Sequence, residues 1–367
     1  MRFDNIIGQA SAKKTLQDMV ENDRMPHALL LLAPQGSGGL PVALAFAQYV
    51  LCPNKTEGEP CGTCGQCVKA EKMIHPDIHY SYPTIGPKTI ATHVVKQWRE
   101  AVVENPYMNA QQWLTRLDAE NKQGNIPVAE CDDIMRKLSL KTYEASHKIL
   151  IMWLPEYLGK EGNRLLKLIE EPPDNTLFIL VAENADMILA TILSRCQLVK
   201  MPSLSDAEIT EALTLRGITQ ADAEAVAHLS DGNLNEAISL SIQNENDNAQ
   251  HFLAWMRTCY AGNGVELVNW VDKFATHGRE RQKLFLTYGL HFIRELMVLV
   301  TTGNNKLRLR GDELDTALKM QKIINFDKIM PISKLFDECS YYIERNANPK
   351  VLFLDASIQM HKILRGV

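Results

Sequence analysis

The 367-residue sequence has no uninterrupted apolar stretch near the roughly 20 residues that cross a bilayer; the run around Ala28–Ala33 stops far short. Its first residues, Met1-Arg2-Phe3-Asp4-Asn5, lack the apolar core of a secretory signal. Repeats and biased tracts are missing too. A charged fraction of 23% beside a hydrophobic fraction of 46% excludes a disordered or collagen-like chain. A soluble, cytoplasmic protein with no membrane partner is the expectation. Thiols stay reduced in that compartment, so the 8 cysteines do not read as disulfides. The chain also lacks an excess of base, with 39 Lys and Arg against 44 Asp and Glu and a net charge of −5. The deficit is local, because residues 202–250 hold nine acids against one base, Arg216, which leaves the remainder at +3. Charge alone therefore neither excludes nor demonstrates contact with nucleic acid.

Apolar periodicity organises the first 200 residues. Ala28–Leu32 reads as a buried strand, followed by the Gly-rich turn Gln35-Gly36-Ser37-Gly38-Gly39 and a helix through Ala43, Ala45, Phe46 and Val50. The pattern recurs at Lys148–Met152, with a helix from about Gly162 to Ile169 stopped by Pro172-Pro173, and then a strand at Thr176–Val181. Continuous apolar strands alternating with helices predict an α/β domain with a parallel sheet covered on both faces. From Ser203 the periods are helical, and Ser205-Asp206-Ala207-Glu208 predicts a capping box. A break at Asp231-Gly232-Asn233 and a polar linker at 244–248 suggest three domains: 1–202, 203–244 and 250–367, the last all-helical. Phe292, Leu296 and Val300 form an apolar stripe that reads as core, and Lys306, Arg308 and Arg310 read as a solvated basic face.

Cys52, Cys61, Cys64 and Cys67 form C-x8-C-x2-C-x2-C, an insertion at 52–67 packed with Pro60, Gly62 and Gly65. Thiolates suit tetrahedral zinc, and two-residue spacers let successive sulfurs converge on one ion. Four committed sulfurs leave no open coordination position, so such a zinc is structural. An iron–sulfur cluster and a set of reduced buried thiols are the alternatives. Cys131, Cys196, Cys259 and Cys339 are scattered and read as packed thiols.

Ala33-Pro34-Gln35-Gly36-Ser37-Gly38-Gly39-Leu40 sits where a phosphate-binding loop belongs. The working pattern G-x-x-x-x-G-K-[ST] needs its Lys for the β and γ phosphates and its hydroxyl for magnesium. Gly39 stands at the Lys position, Leu40 at the hydroxyl position and Ala33 at the first Gly, so this is a degenerate phosphate loop. The acidic pair that would position magnesium falls on Met152 and Trp153. No ATP is expected to bind here and no intrinsic ATPase is expected.

These motifs, taken with Phe3–Gln9, Pro26-His27-Ala28, His75-Pro76-Asp77, Asn163–Pro173 (with Leu165-Leu166-Lys167 and Glu170-Glu171-Pro172-Pro173) and Thr191–Gln197 (with Ser194-Arg195-Cys196), resemble one family. The sequence is similar to the delta prime subunits of the bacterial DNA polymerase III clamp loader, members of the AAA+ superfamily, closely over residues 1–240. The resemblance implies an AAA+ (P-loop NTPase-like) domain with a zinc module, a small helical lid and an all-α oligomerisation collar containing Asn346-Ala347-Asn348-Pro349-Lys350. It also implies a non-hydrolysing stator in DNA replication that helps load the sliding clamp on primed DNA. Its partners would be the gamma/tau and delta subunits, with the clamp touched weakly or indirectly and DNA reached through the complex. Any polymerase label would come by complex membership. Arg195 would act in trans as an arginine finger on the neighbouring subunit's ATP, the alternative being a surface Arg in a structural salt bridge. The lid position that carries a nucleotide-sensing Arg in active relatives is Asn235, and Glu170 and Glu171 take a structural or interface role. An active ATPase of the gamma/tau type and a zinc-dependent nucleic-acid-binding module are the competing readings.

Overall fold

The computed structural model describes residues 1–117, 123–242, 245–303, 307, 309 and 311–366. Five parallel strands form one sheet: β1 (Ala28–Leu32), β2 (Ile78–Ser81), β3 (Lys148–Trp153), β4 (Thr176–Ala182) and β5 (Gln197–Lys200), in the order β2-β3-β4-β1-β5. Ala28 pairs with Phe178 and Lys148 with Thr176, and every residue of β3 and β4 is buried. The pleat sends alternate residues to two cores. Leu29, Leu31, Ile149, Ile151, Leu177 and Ile179 meet the wholly buried helix Gly39–Leu51 on one side. Leu30, Leu150, Met152, Phe178 and Leu180 meet Ile134, Leu165, Ile169 and Ile192 on the other. This is the two-faced parallel sheet that the strand patterns predict. The order reverses at β1, and ligand crevices of such sheets open beyond the carboxyl ends of the strands at that point. The turn after β1 lies there.

The chain divides into two compact units, 1–217 with 230–237, and 218–229 with 238–367. Residues 203–244 are divided between these two units. The capping box forms as predicted, with Ser205 accepting from Glu208 N–H ahead of the helix Asp206–Thr214. Leu234 then ties this part to the sheet unit, its N–H donating to the Gly36 carbonyl at 3.1 Å. The polar stretch expected as a linker differs as well: Asn244 lies outside the described residues, and Glu245 opens the helix Glu245–Ala261. Lys306, Arg308 and Arg310 also lie outside the described residues.

The second unit is helical, around Phe252, Trp255, Phe285, Phe292, Phe336 and Phe353. Gly289 permits this close packing, because a Cβ there would stand 2.8 Å from Phe252 and 2.9 Å from Phe336. Among the described residues, one helix, Arg279–Thr302, contains a segment long and apolar enough to cross a membrane. Of the predicted apolar stripe, Phe292 and Leu296 are completely buried in the unit's own core, as is Phe285 on the same helix, while Val300 is partly buried against it.

His75-Pro76-Asp77 acquires a structural reason. The buried Asp77 carboxylate accepts the backbone N–H groups of Tyr143, Glu144 and Ala145 at 2.5, 2.9 and 2.9 Å, fixing the loop that feeds β3. Burial pushes its carboxyl up, but the three donors outweigh it and hold the pKa below the usual range. A depressed carboxyl contributes stability that is complete above the unfolded value, roughly 3.9, and is lost as pH falls through the folded one. Asp77→Asn is expected to lower the unfolding midpoint at pH 7, by about 1–3 kcal/mol in denaturant titrations. The gap from wild type should narrow below roughly pH 4, and a constant gap would contradict this origin.

Candidate functional site

The turn after β1 is shaped by two left-handed glycines, Gly36 at φ +70° and Gly38 at φ +103°, the second capping the helix Gly39–Leu51. Gly39 is crowded rather than twisted. A Cβ there would lie 2.7 Å from the Ala33 Cβ and 2.9 Å from the Val181 Cγ1, so a side chain here requires Ala33 or Val181 to shift. The turn's outer side is covered as well. The Asn233 side chain fills the place of a Gly36 Cβ, and Leu234 N–H donates to the Gly36 carbonyl at 3.1 Å. Asn105 Nδ2 donates to Asn235 Oδ1 at 2.7 Å, and Asn235 is buried. Beside the turn a cavity of 20 Å³ remains, lined by Ala33, Gly38, Tyr107, Trp153 and Glu183 among others. That is room for about one water. Burial, then repulsion from Glu156, pushes the Glu183 carboxyl up to about 7. Above that pH the cavity wall is negative.

Met152 and Trp153 lie at the end of β3, completely enclosed. Trp153 faces Trp98 at 5.2 Å, in a group where Trp98 stacks on Tyr82 at 4.0 Å and Trp113 meets both edge-on. Where magnesium chemistry needs carboxylates, this chain has core aromatics.

The four cysteines converge. Cys52, Cys61, Cys64 and Cys67 place all four Sγ atoms within 4.8 Å of one another, with Cys61 and Cys67 at 3.9 Å. Tetrahedral coordination at about 2.3 Å sets sulfurs about 3.8 Å apart, so the cluster can hold a metal ion. Backbone N–H groups point at the sulfurs: Cys61 to Cys52 at 3.3 Å, Cys64 to Cys61 and Cys67 to Cys64, both at 3.4 Å. The donors of Cys64 and Thr63 draw the Cys61 thiol down to about 6. Burial pushes the Cys52 and Cys67 thiols up, which a cation among them would reverse. Cys131, Cys196, Cys259 and Cys339 are also free thiols, each held well above its usual range by burial.

Arg195 follows the short helix Ala190–Leu193 and lies apart from the cavity lining. Its side chain is one-third exposed and engaged. Nε and Nη2 grip the Glu170 carboxylate, while Nη1 donates to the Thr191 carbonyl at 2.7 Å and to Ser194 Oγ at 3.2 Å. Sequence reasoning assigned Glu170 no such partner, and no spacing rule links residues 25 apart. The occupation of the turn by Asn233 was likewise unreadable, since only the Asp231-Gly232-Asn233 break marked that segment.

Gly39→Ala tests the crowding at the turn. Replacing Gly by Ala near a helix start ordinarily stabilises; here overpacking is expected to lower stability by about 1–3 kcal/mol. A midpoint unchanged or raised on denaturant titration would show that the contact yields.

The family described as DNA polymerase III, delta subunit, matches residues 8–205, more than half the chain. The delta' subunit of Bacillus subtilis is 28% identical over 241 residues, 65% of this chain and 60% of that protein. The tau subunit of the same organism is 27% identical over 247 residues, 65% of this chain and 37% of that protein. The delta' subunit of Haemophilus influenzae is 31% identical over 171 residues, 47% of this chain and 41% of that protein. The chain thus spans 37–60% of the length of these relatives. With a parallel-sheet domain of this strand order and a family match across it, the chain belongs to the delta' family of DNA polymerase III clamp-loader subunits.

Proposed function

We propose that this chain serves in DNA replication as a non-hydrolysing stator of the clamp loader, completing an ATP site on a neighbouring subunit. The observation that carries the reading is the turn after β1, where Gly39 stands at the place of the phosphate-binding Lys, crowded against Ala33 and Val181. The aromatic Trp153, at the position where an acid would hold magnesium, supports it. The chain's own turn then binds no ATP. Arg195 is the residue suited to catalysis in trans: a planar, permanently charged guanidinium that matches a transferring phosphoryl group. Gamma/tau and delta subunits are the partners, the helical unit serves as the collar among them, and residues 203–244 do the work of a lid. The clamp and primed DNA are engaged through the complex, in the cytoplasm.

Zinc is the metal proposed for the cysteine cluster. Bound there, it would cross-link the insertion at 52–67, and four thiolates leave it no position for substrate. Cys52 lies at the end of the helix Gly39–Leu51 and Cys64 caps the helix Gly65–Glu71, so the ion would join these two helices.

In a reconstituted clamp-loader complex, Arg195→Ala is expected to leave assembly intact on gel filtration. ATP turnover at the site it faces should fall by a factor on the order of 10³; wild-type turnover would refute the trans-acting role. Metal analysis of the purified chain should return one zinc per chain. Chelation should expose the segment 52–67 to protease while leaving the helical unit resistant, and iron or no metal would overturn the assignment.

A further inference from the structure

Arg195 and Glu170 are carried by two short segments anchored in the same core. Glu170 ends the helix Leu166–Glu170, whose Ile169 is buried, and Pro172-Pro173 prevent the helix from running on. Arg195 follows Ala190–Leu193, whose Ile192 is equally buried. Ile169 and Ile192 belong to one apolar cluster with Leu165 and Leu158, and Gly162 lets the chain pass close, since a Cβ there would stand 3.0 Å from Ile192. The backbone positions of both charged residues are therefore set by packing.

The side chains are not packed. Arg195 and Glu170 keep 32% and 42% of their side-chain surface exposed, and an ion pair that wet contributes little to stability. Its consequence is orientation. A long arginine in water samples many rotamers, and a finger must reach its target from one of them. Here Glu170 takes the Nε and Nη2 groups along one edge, and Thr191 and Ser194 take Nη1. Four contacts against five donors leave at least one guanidinium N–H unengaged among the described residues. The adjacent Glu171 is the helix cap, and its backbone N–H returns to the Lys167 carbonyl at 2.9 Å.

We infer that Glu170 is the positioning residue of the arginine finger: its carboxylate fixes the guanidinium of Arg195 before the neighbouring subunit's ATP arrives. This rests on the proposed trans-acting role of Arg195. The carboxylate holds one edge of the fork and lowers the conformational freedom lost when the phosphoryl group is met. It touches neither ATP nor the reacting atoms.

The test uses the reconstituted complex with hydrolysis confined to the ATP site beside this chain, comparing Glu170→Ala, Glu170→Gln, Arg195→Ala and the double variant Glu170→Ala/Arg195→Ala. Glu170→Ala is expected to lower kcat by about tenfold at unchanged KM for ATP. Glu170→Gln, which keeps an acceptor without the charge, should recover part of the loss. The double variant should be no worse than Arg195→Ala alone, as two residues acting through one step require. Wild-type kcat in Glu170→Ala beside an impaired Arg195→Ala would overturn positioning and leave the finger standing. A kcat above wild type would show Glu170 to be a restraint and overturn it as well. A double variant well below Arg195→Ala would assign Glu170 a structural role instead. Wild-type turnover in Arg195→Ala would fail the finger reading itself.

Discussion

The close approach of Gly39 to Ala33 and Val181 is the constraint on which the functional reading depends. At 2.7 and 2.9 Å from a would-be Cβ, the start of the helix Gly39–Leu51 is pressed against the ends of β1 and β4. The first consequence is chemical, because a side chain at this position would have to push Ala33 or Val181 aside. The second is architectural. Asn233 and Leu234 pack directly on Gly36, and Asn235 pairs with Asn105. At the sheet's switch point the turn is a packed junction within the sheet unit. Its remaining cavity is bordered by Glu183, a carboxyl that repels anions once ionised.

Chemistry-bearing groups survive elsewhere, each held by local geometry. The cysteine cluster is supported by backbone donors to Cys52, Cys61 and Cys64, an arrangement that favours thiolates and suits an ion at their centre. Arg195 is held on a surface by Glu170, Thr191 and Ser194. The proposed division of labour follows: packing at the turn, cross-linking at the cysteines, and a presented guanidinium for another subunit. Each task uses a residue type that cannot substitute for the others.

The residues that declared themselves in the sequence did so through local rules. β1, β3 and β4 were legible because strands covered on both faces need uninterrupted apolar runs. The cysteine cluster was legible because short spacers make four thiols converge, and the altered phosphate loop because the missing Lys has a fixed position. β2 and β5 escaped: Ile78-His79-Tyr80-Ser81 and Gln197-Leu198-Val199-Lys200 are four-residue edge strands whose polar residues carry no clear period. The division of 203–244 between two units also escaped, because periodicity marks helices without saying which core receives them. Glu170 and Asn233 were invisible as partners for the same reason, since their contacts join residues far apart in the chain.

The central claim is that this chain completes an ATP site without possessing one. Calorimetric titration of the purified chain with magnesium ATP tests it most directly. The account predicts no magnesium-dependent binding heat at millimolar nucleotide; saturable, stoichiometric binding in the micromolar range would contradict it.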